Sequence, residues 1–222
     1  MAKRVLGLFA KLPEPGRVKT RLVPPLTPAS AARLYEAMLL DVLDLHAGLD
    51  VERVLWFTPA DSRPWFERQA RGRYRLEAQR GDGLAARMTA LFALHASEGF
   101  ERMVLRGTDS PTLPSERIDA AFTALERSDL VVCPDRDGGY NLIGLREPQP
   151  ELFALEMSTA SVLEQTLARA RSLDLEVSLL PAHHDVDTAE DLARLESEVR
   201  AEHTPRTLRF LRATAGPTPG VR

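Results

Sequence analysis

Short apolar runs alternate along this chain with longer stretches in which apolar residues recur at helical spacing. "RVLGLFA" at 4–10 is apolar at nearly every position, the mark of a strand buried on both faces. A proline-rich stretch follows, and 27–48 then reads as a helix. Thr27 is placed to cap it, Pro28 to open its first turn and Gly48 to end it. Leu34, Met38, Val42 and Leu45 recur along one stripe, with Tyr35 and Leu39 beside them. The same rhythm predicts strands at 53–59, 74–79 and 102–107. It predicts helices at 61–71, capped by Asp61, and at 81–99, with Met88, Leu91 and Phe92 inward. A further helix at 115–128 carries Ile118, Ala121, Phe122 and Leu125 at i, i+3, i+4 and i+7.

Beyond 128 the order changes. Two strands, 129–135 and 140–145, flank a glycine-rich turn; a helix at 158–172, a strand at 175–181 and a last helix at 188–202 follow. From His203 prolines, threonines and arginines recur without period, which predicts a basic, poorly ordered tail over 203–222, or one that packs on a second copy in a homodimer. No repeat or flexible linker divides 1–202, so one α/β domain is expected.

Composition narrows the class. The 222 residues are 44% apolar, enough for a full core without disulfides or a structural metal. A single cysteine, Cys133, suits a reducing cytoplasm. "VLGLFA" is too short for a signal-peptide core and no run approaches a membrane span, so a cytoplasmic protein with no membrane partner is expected. A net charge of −3 gives no general attraction to nucleic acid. Cys133 and Trp56, both in apolar strands, read as structural.

Four segments carry candidate chemistry. In "FAKLPEPGRVKTRL" (9–22) three cations, Arg17, Lys19 and Arg21, follow the first strand. Ligands of open α/β sheets bind beyond the strands' carboxyl ends. Gly16 would let backbone N–H groups approach a phosphate that Lys19 and Arg21 neutralise; the alternative is a solvated loop. The loop is not a Walker A motif. In "RGTDSPTLP" (106–114), Asp109 stands at a strand's end, where a hard cation such as Mg²⁺ can bridge protein and phosphate, or where Asp109 and Ser110 merely form a turn. "PDRDGGYNLIG" (134–144) is a hairpin signal that can also seat a substrate on Gly138 and Gly139, with polar contacts from Asp137 and Tyr140. In "HHDVDTAEDL" (183–192), Thr188 and Asp191 make a capping box. Asp185 and Asp187 flank Val186 and share one face if Val186 points inward, so they can complete a metal site with Asp109. His183 and His184 read first as surface residues, with metal ligation as the alternative. Gln79 and the backbone near Gly83 can read a base, and Arg87 can reach phosphate.

Taken in order, "FAKLPEPGRVKTRL", "GTDSPTLP", "DGGYNLIGL" and "DVDTAEDL" resemble the bacterial glycosyltransferase-like proteins of the nucleotide-diphospho-sugar transferase superfamily. That branch includes proteins named arsenosugar-biosynthesis glycosyltransferases; molybdenum-cofactor and 2-phospho-lactate guanylyltransferases are more distant relatives. The resemblance covers about residues 4 to 195. It implies a GT-A-type fold: a three-layer α/β/α sandwich around a Rossmann-like, mostly parallel mixed sheet with one reversed strand. It implies Asp109 and Asp187 as ligands of Mg²⁺ or Mn²⁺, Gly16, Arg17, Lys19 and Arg21 on the phosphate loop, and Gln79 and Gly83 at the base. Two features depart from the superfamily's best-known forms: the first loop lacks G-x-G-T-R, and Asp109 stands outside any D-x-D.

The reaction implied is transfer from a nucleotide-activated donor. As sugar transfer from a nucleoside-diphosphate sugar to a small acceptor, it would use Asp109 and Lys19 to stabilise the leaving group and Asp137 as base. As nucleotidyl transfer, a phosphorylated small molecule would attack the α-phosphorus of a nucleoside triphosphate and release pyrophosphate. The dense "RVKTR" suits the higher charge of a triphosphate, while the family's naming suits sugar transfer, which is the main reading by a narrow margin. A third possibility is a nucleotide-binding domain without turnover, which would have no need to keep both aspartates.

Overall fold

The computed structural model describes residues 2–157 and 159–214. Seven strands form one sheet: β1 (Arg4–Lys11), β2 (Glu52–Thr58), β3 (Arg75–Ala78), β4 (Arg102–Gly107), β5 (Leu130–Pro134), β6 (Tyr140–Leu145) and β7 (Val177–Leu179). Their order is β3-β2-β1-β4-β6-β5-β7, and β6 alone runs antiparallel to both neighbours. The helices are α1 (Pro28–His46), α2 (Arg63–Ala70), α3 (Gly83–Ser97), α4 (Glu116–Ala124), α5 (Val162–Ser172), α6 (Ala189–Glu198) and α7 (Pro205–Thr214).

The continuous apolar strands are buried on both faces, as their sequences require. Leu6, Leu8 and Ala10 of β1 join Leu55 and Phe57 of β2 against α1, α2 and α4. Val5, Val54, Trp56, Met103 and Leu105 face Met88, Leu91 and Phe92 of α3 and Ala170 of α5. A third apolar cluster joins Leu34 and Met38 of α1 to Leu22, Val186, Leu192, Leu195 and Leu211, so α1 is buried on two sides. Among the described residues no helix is long and apolar enough to cross a membrane.

Helix starts follow local chemistry where a side chain can reach. Thr27 accepts from Ser30 N and caps α1, while Thr188 and Asp191 form the expected capping box on α6. Two expected boundaries move. Asp61 sits in a 3₁₀ turn, Ala60–Ser62, and gives α2 no cap. Helix α1 ends at His46 with Ala47 as its C-cap, two residues before Gly48.

The expected irregular tail is corrected over 205–214, which form α7. Asp41, buried in α1, accepts from Arg206 N at 3.1 Å and Thr207 N at 2.8 Å, so a side chain about 165 positions away caps this helix. Leu211 then buries against the third cluster. Residues 215–222 of that tail lie outside the described residues.

Candidate active site

The sheet order reverses direction between β1 and β4, because β1 leads outward to β2 and β3 while β4 leads to β6 and β5. Loops leaving two such strands diverge and leave a crevice at their carboxyl ends. A cleft of about 800 Å³ opens there. Tyr35 ties its floor: the Lys11 N–H donates to the phenol oxygen at 2.9 Å, and Thr108 Oγ1 lies 3.0 Å from the same atom. Burial pushes the Tyr35 phenol up to about 12, so it stays neutral.

The loop after β1 delivers Lys19. Val18 inserts into the core on one side and Leu22 on the other, and Lys19 adopts a left-handed backbone (φ 47°) between them. This geometry turns its side chain into the cleft. The ammonium bonds Asp109, and it reaches Asp187 Oδ1 at 2.9 Å. The two aspartates do meet, as expected from their positions, but the cation between them here is Lys19. Burial disfavours the charged ammonium, yet Asp109, Asp187 and Asp185 together outweigh that cost and raise its pKa above the ordinary value. Arg21 stays mostly exposed, 3.9 Å from Asp187 Oδ2.

Val186 is fully buried, and its N–H donates to the Asp109 carbonyl at 3.0 Å, locking the two acid-bearing segments together. Its neighbours accordingly share the opposite face, and Asp185 and Asp187 both line the cleft. Asp185 N donates to Asp135 Oδ2 at 2.9 Å. Burial, reinforced by Asp109, raises the Asp185 pKa well above the usual carboxylate range. Asp191 accepts from the N–H groups of Asp187 and Thr188, so the capping box also fixes the aspartate beside it.

Beneath the acids lies Arg106, fully buried and without a carboxylate in hydrogen-bond contact among the described residues. Its guanidinium donates to Gly107 O at 2.9 Å and Ser110 O at 2.7 Å, bracing the turn that presents Asp109. It also donates to Ser110 Oγ at 3.3 Å and lies 2.8 Å from His46 Nε2, which must accept, so His46 is neutral. Burial and the neighbouring guanidinium hold His46 down at about 2. Burial also lowers Arg106 to about 10. Sequence reading missed Arg106; an arginine in an otherwise apolar strand was the available signal.

Other expected site residues divide. Arg17, Gly83, Arg87, Asp137 and Gly139 line the cleft, with Lys19, Arg21, Asp109 and Asp187. Gln79 lines it too, but its amide donates to Ala10 O at 3.2 Å and Trp56 O at 2.9 Å, and its oxygen faces Arg87 at 3.3 Å. That amide stitches strand ends together, which leaves it no free donor for a base. Tyr140 contributes to the cleft wall while its ring packs in the second core cluster; burial pushes its phenol up to about 12. Asp137 Oδ1 accepts from Gly139 N at 2.9 Å, an Asx-type turn contact. Gly16 and Gly138 do not line the cleft. Gly138 serves packing: a Cβ there would stand 1.9 Å from the Ala160 carbonyl oxygen. The surface placement expected for the two histidines is corrected: His184 is buried and His183 half-buried, their rings tilted 4.9 Å apart near Thr112 and Glu198, away from the cleft lining.

For a divalent metal the donor chemistry fits in kind. Asp109 and Asp187 offer hard carboxylate oxygens converging on one point, each side chain a little over a third exposed. Among the described residues no cluster of three or more His, Cys, Asp or Glu has metal-holding geometry, so phosphate and water oxygens would have to complete such a shell.

Residues 42–159 match a family described as an uncharacterized protein conserved in bacteria, DUF2064. The chain belongs to this family. Over 205 residues this DUF2064 protein is 31% identical to the 2-phospho-L-lactate guanylyltransferase of Methanothermobacter thermautotrophicus, with 91% of this chain and 89% of that one covered. It is 32% identical over 210 residues to the 3-phospho-D-glycerate guanylyltransferase of Phenylobacterium zucineum, covering 92% and 91%. A crystal structure from Desulfovibrio desulfuricans G20, assigned to the nucleotide-diphospho-sugar transferases, superposes with a TM-score of 0.89 at 32% identity, covering 96% and 95%. The fold is therefore of the nucleotide-diphospho-sugar transferase type, as the motifs implied. Both named enzymes are nucleotidyltransferases, whereas the naming of the family that the motifs resemble had favoured sugar transfer.

Proposed function

We propose that this DUF2064 protein is a nucleotidyltransferase that joins a nucleoside triphosphate, GTP in the first instance, to a phosphorylated small acid. The similarity over nine-tenths of the chain to two guanylyltransferases carries this reading. The geometry is compatible with it. Arg17, Lys19 and Arg21 stand on one loop at the mouth of the cleft, and a triphosphate demands more neutralisation than a diphosphate sugar does.

An oxygen of the acceptor's phosphate attacks the α-phosphorus. A new P–O–P bridge forms, the bond to the β-phosphate oxygen breaks and pyrophosphate leaves. The nucleophile is already ionised, so no general base is needed, and Asp137 is free to hold its turn. A divalent cation, Mg²⁺ or Mn²⁺, held by Asp109 and Asp187 would neutralise charge on the phosphates. Lys19, poised on the same two carboxylates, supplies a fixed positive charge beside the reacting groups. Arg106 keeps the Asp109 turn in place before substrate arrives. Catalysis of this kind consists of positioning and charge neutralisation.

Sugar transfer is the second reading, favoured by the assignment of the Desulfovibrio structure. A panel of nucleoside triphosphates and nucleotide sugars, screened by thermal shift with Mg²⁺ and then by product analysis, separates the two. Nucleotidyl transfer requires stabilisation by a triphosphate and pyrophosphate release that depends on a phosphorylated acceptor. Stabilisation by nucleotide sugars alone, with nucleoside diphosphate as product, would overturn it.

A further inference from the structure

Three side chains lining the cleft hold buried polar atoms without a partner among the described residues, Tyr140, Asn141 and Asp185, and Asn141 is the one whose donor and acceptor are both unpaired. Asn141 on β6 is 3% exposed, and neither its Nδ2 nor its Oδ1 has a hydrogen-bond partner among the described residues. Buried side-chain amides are nearly always satisfied. Asn141 also sits at an irregularity of the sheet. Leu142 pairs with Cys133 and Tyr140 with Pro134, so Asn141 is the residue between them that faces no partner on β5. A bulge of this kind re-aims a side chain and is common beside active sites. Here it leaves Asn141 in the cleft wall, which Asp137, Gly139, Met157 and Thr159 also line.

Its place in the sheet separates it from the nucleotide's base. Arg87, in the first turns of α3, contacts Gln79 at the end of β3, whereas β6 lies on the far side of the β1–β4 crevice. Four strand spacings, about 19 Å, separate β3 from β6. Lys19, Asp109 and Asp187 occupy the ground between, so Asn141 faces the acceptor.

An amide offers two N–H donors and a carbonyl acceptor. A phosphate or carboxylate oxygen would satisfy Nδ2 and leave Oδ1 bare. An alcohol satisfies both kinds of group. Resting on the nucleotidyl-transfer reading, we infer that Asn141 selects the acceptor by binding a free hydroxyl beside its acidic group, so that the substrate is a phosphorylated hydroxy acid that retains an unmodified alcohol.

The test compares D-3-phosphoglycerate with 3-phosphooxypropionate, the same molecule without the C2 hydroxyl. Pyrophosphate release is measured with GTP and Mg²⁺ for the natural protein and for Asn141→Leu, a near-isosteric side chain without hydrogen bonds. The natural protein should prefer the hydroxylated acceptor by about tenfold or more in kcat/KM. Asn141→Leu should bring that ratio close to one, and the thermal shift given by GTP alone should not change. The variant should also melt no lower than the natural protein, since it removes an unsatisfied buried group. Equal use of both acceptors by the natural protein, a variant that keeps the preference, a lowered GTP shift, or a lowered melting temperature would each overturn the role of Asn141 while leaving nucleotidyl transfer standing. Absence of pyrophosphate with every triphosphate and both acceptors would instead overturn the reading on which it rests.

Discussion

The ammonium of Lys19 lies 2.9 Å from Asp187 Oδ1, 168 positions further along the chain, and bonds Asp109 at the same time. A buried cation thus holds together two acids that would otherwise repel across the mouth of the cleft. Removing one member of a fully buried ion pair costs roughly 3–5 kcal/mol. Both aspartates are more than a third exposed, so Lys19→Met should cost less, about 2–3 kcal/mol by urea denaturation. Turnover should fall about 100-fold or more. With the ammonium gone, Mg²⁺ alone should raise the melting temperature of the variant more than that of the natural protein.

Gly138→Ala should damage both stability and catalysis. The backbone there has φ +91°, and the new Cβ would meet the Ala160 carbonyl oxygen at 1.9 Å. Strain and overpacking together should cost about 2–4 kcal/mol. Thermal denaturation reads the first effect. A raised acceptor KM, caused by displacing the Ala160 segment that lines the cleft, reads the second.

Acid sensitivity should be traceable to His46. Its pKa is held at about 2 in the fold, against 6.5 for the free side chain, first by burial and then by Arg106. Between those values the unfolded chain binds the additional proton. The contribution is therefore fully present above pH 6.5 and is lost progressively as pH falls toward 2. At pH 5 the loss from this residue is about 2 kcal/mol. His46→Gln keeps an acceptor for Arg106 without titrating, so its stability should fall less between pH 7 and pH 5 than that of the natural protein.

Helix α7 should prove integral to the fold. Asp41→Ala removes the carboxylate that accepts from Arg206 N and Thr207 N and leaves the buried Thr207 donor and the half-buried Arg206 donor unpaired at the helix start. A cost of about 2–3 kcal/mol is expected. Faster proteolysis at Arg206 or Arg209 would accompany it, measured by limited trypsin digestion.

Much of this was legible in the sequence because it rested on local period. The both-face burial of 4–10, the Thr27 cap and the inward stripe of α3 follow from residue spacing alone. So does the shared face of Asp185 and Asp187, once Val186 is placed in the core. What escaped depends on partners distant in sequence. Helix α7 has ten residues and little apolar content, and its cap is supplied by α1. The bonds of Lys19 to the two aspartates become visible only when the anchors at Val18 and Leu22 are seen to turn it into the cleft. Gln79 looks free until the strand ends that consume its amide are side by side. Arg106 and Asn141 interrupt apolar strands, and only the crevice at β1 and β4 explains why polar groups belong there.

Pyrophosphate release from GTP, Mg²⁺ and a phosphorylated three-carbon acid, followed for the natural protein and for Asp109→Ala, bears most directly on the proposed chemistry. The expected result is one pyrophosphate for each acceptor consumed, with the rate reduced about 100-fold or more in the variant. Release of nucleoside diphosphate from a nucleotide sugar with no pyrophosphate from any triphosphate, or an Asp109→Ala protein that turns over at the natural rate, would contradict it.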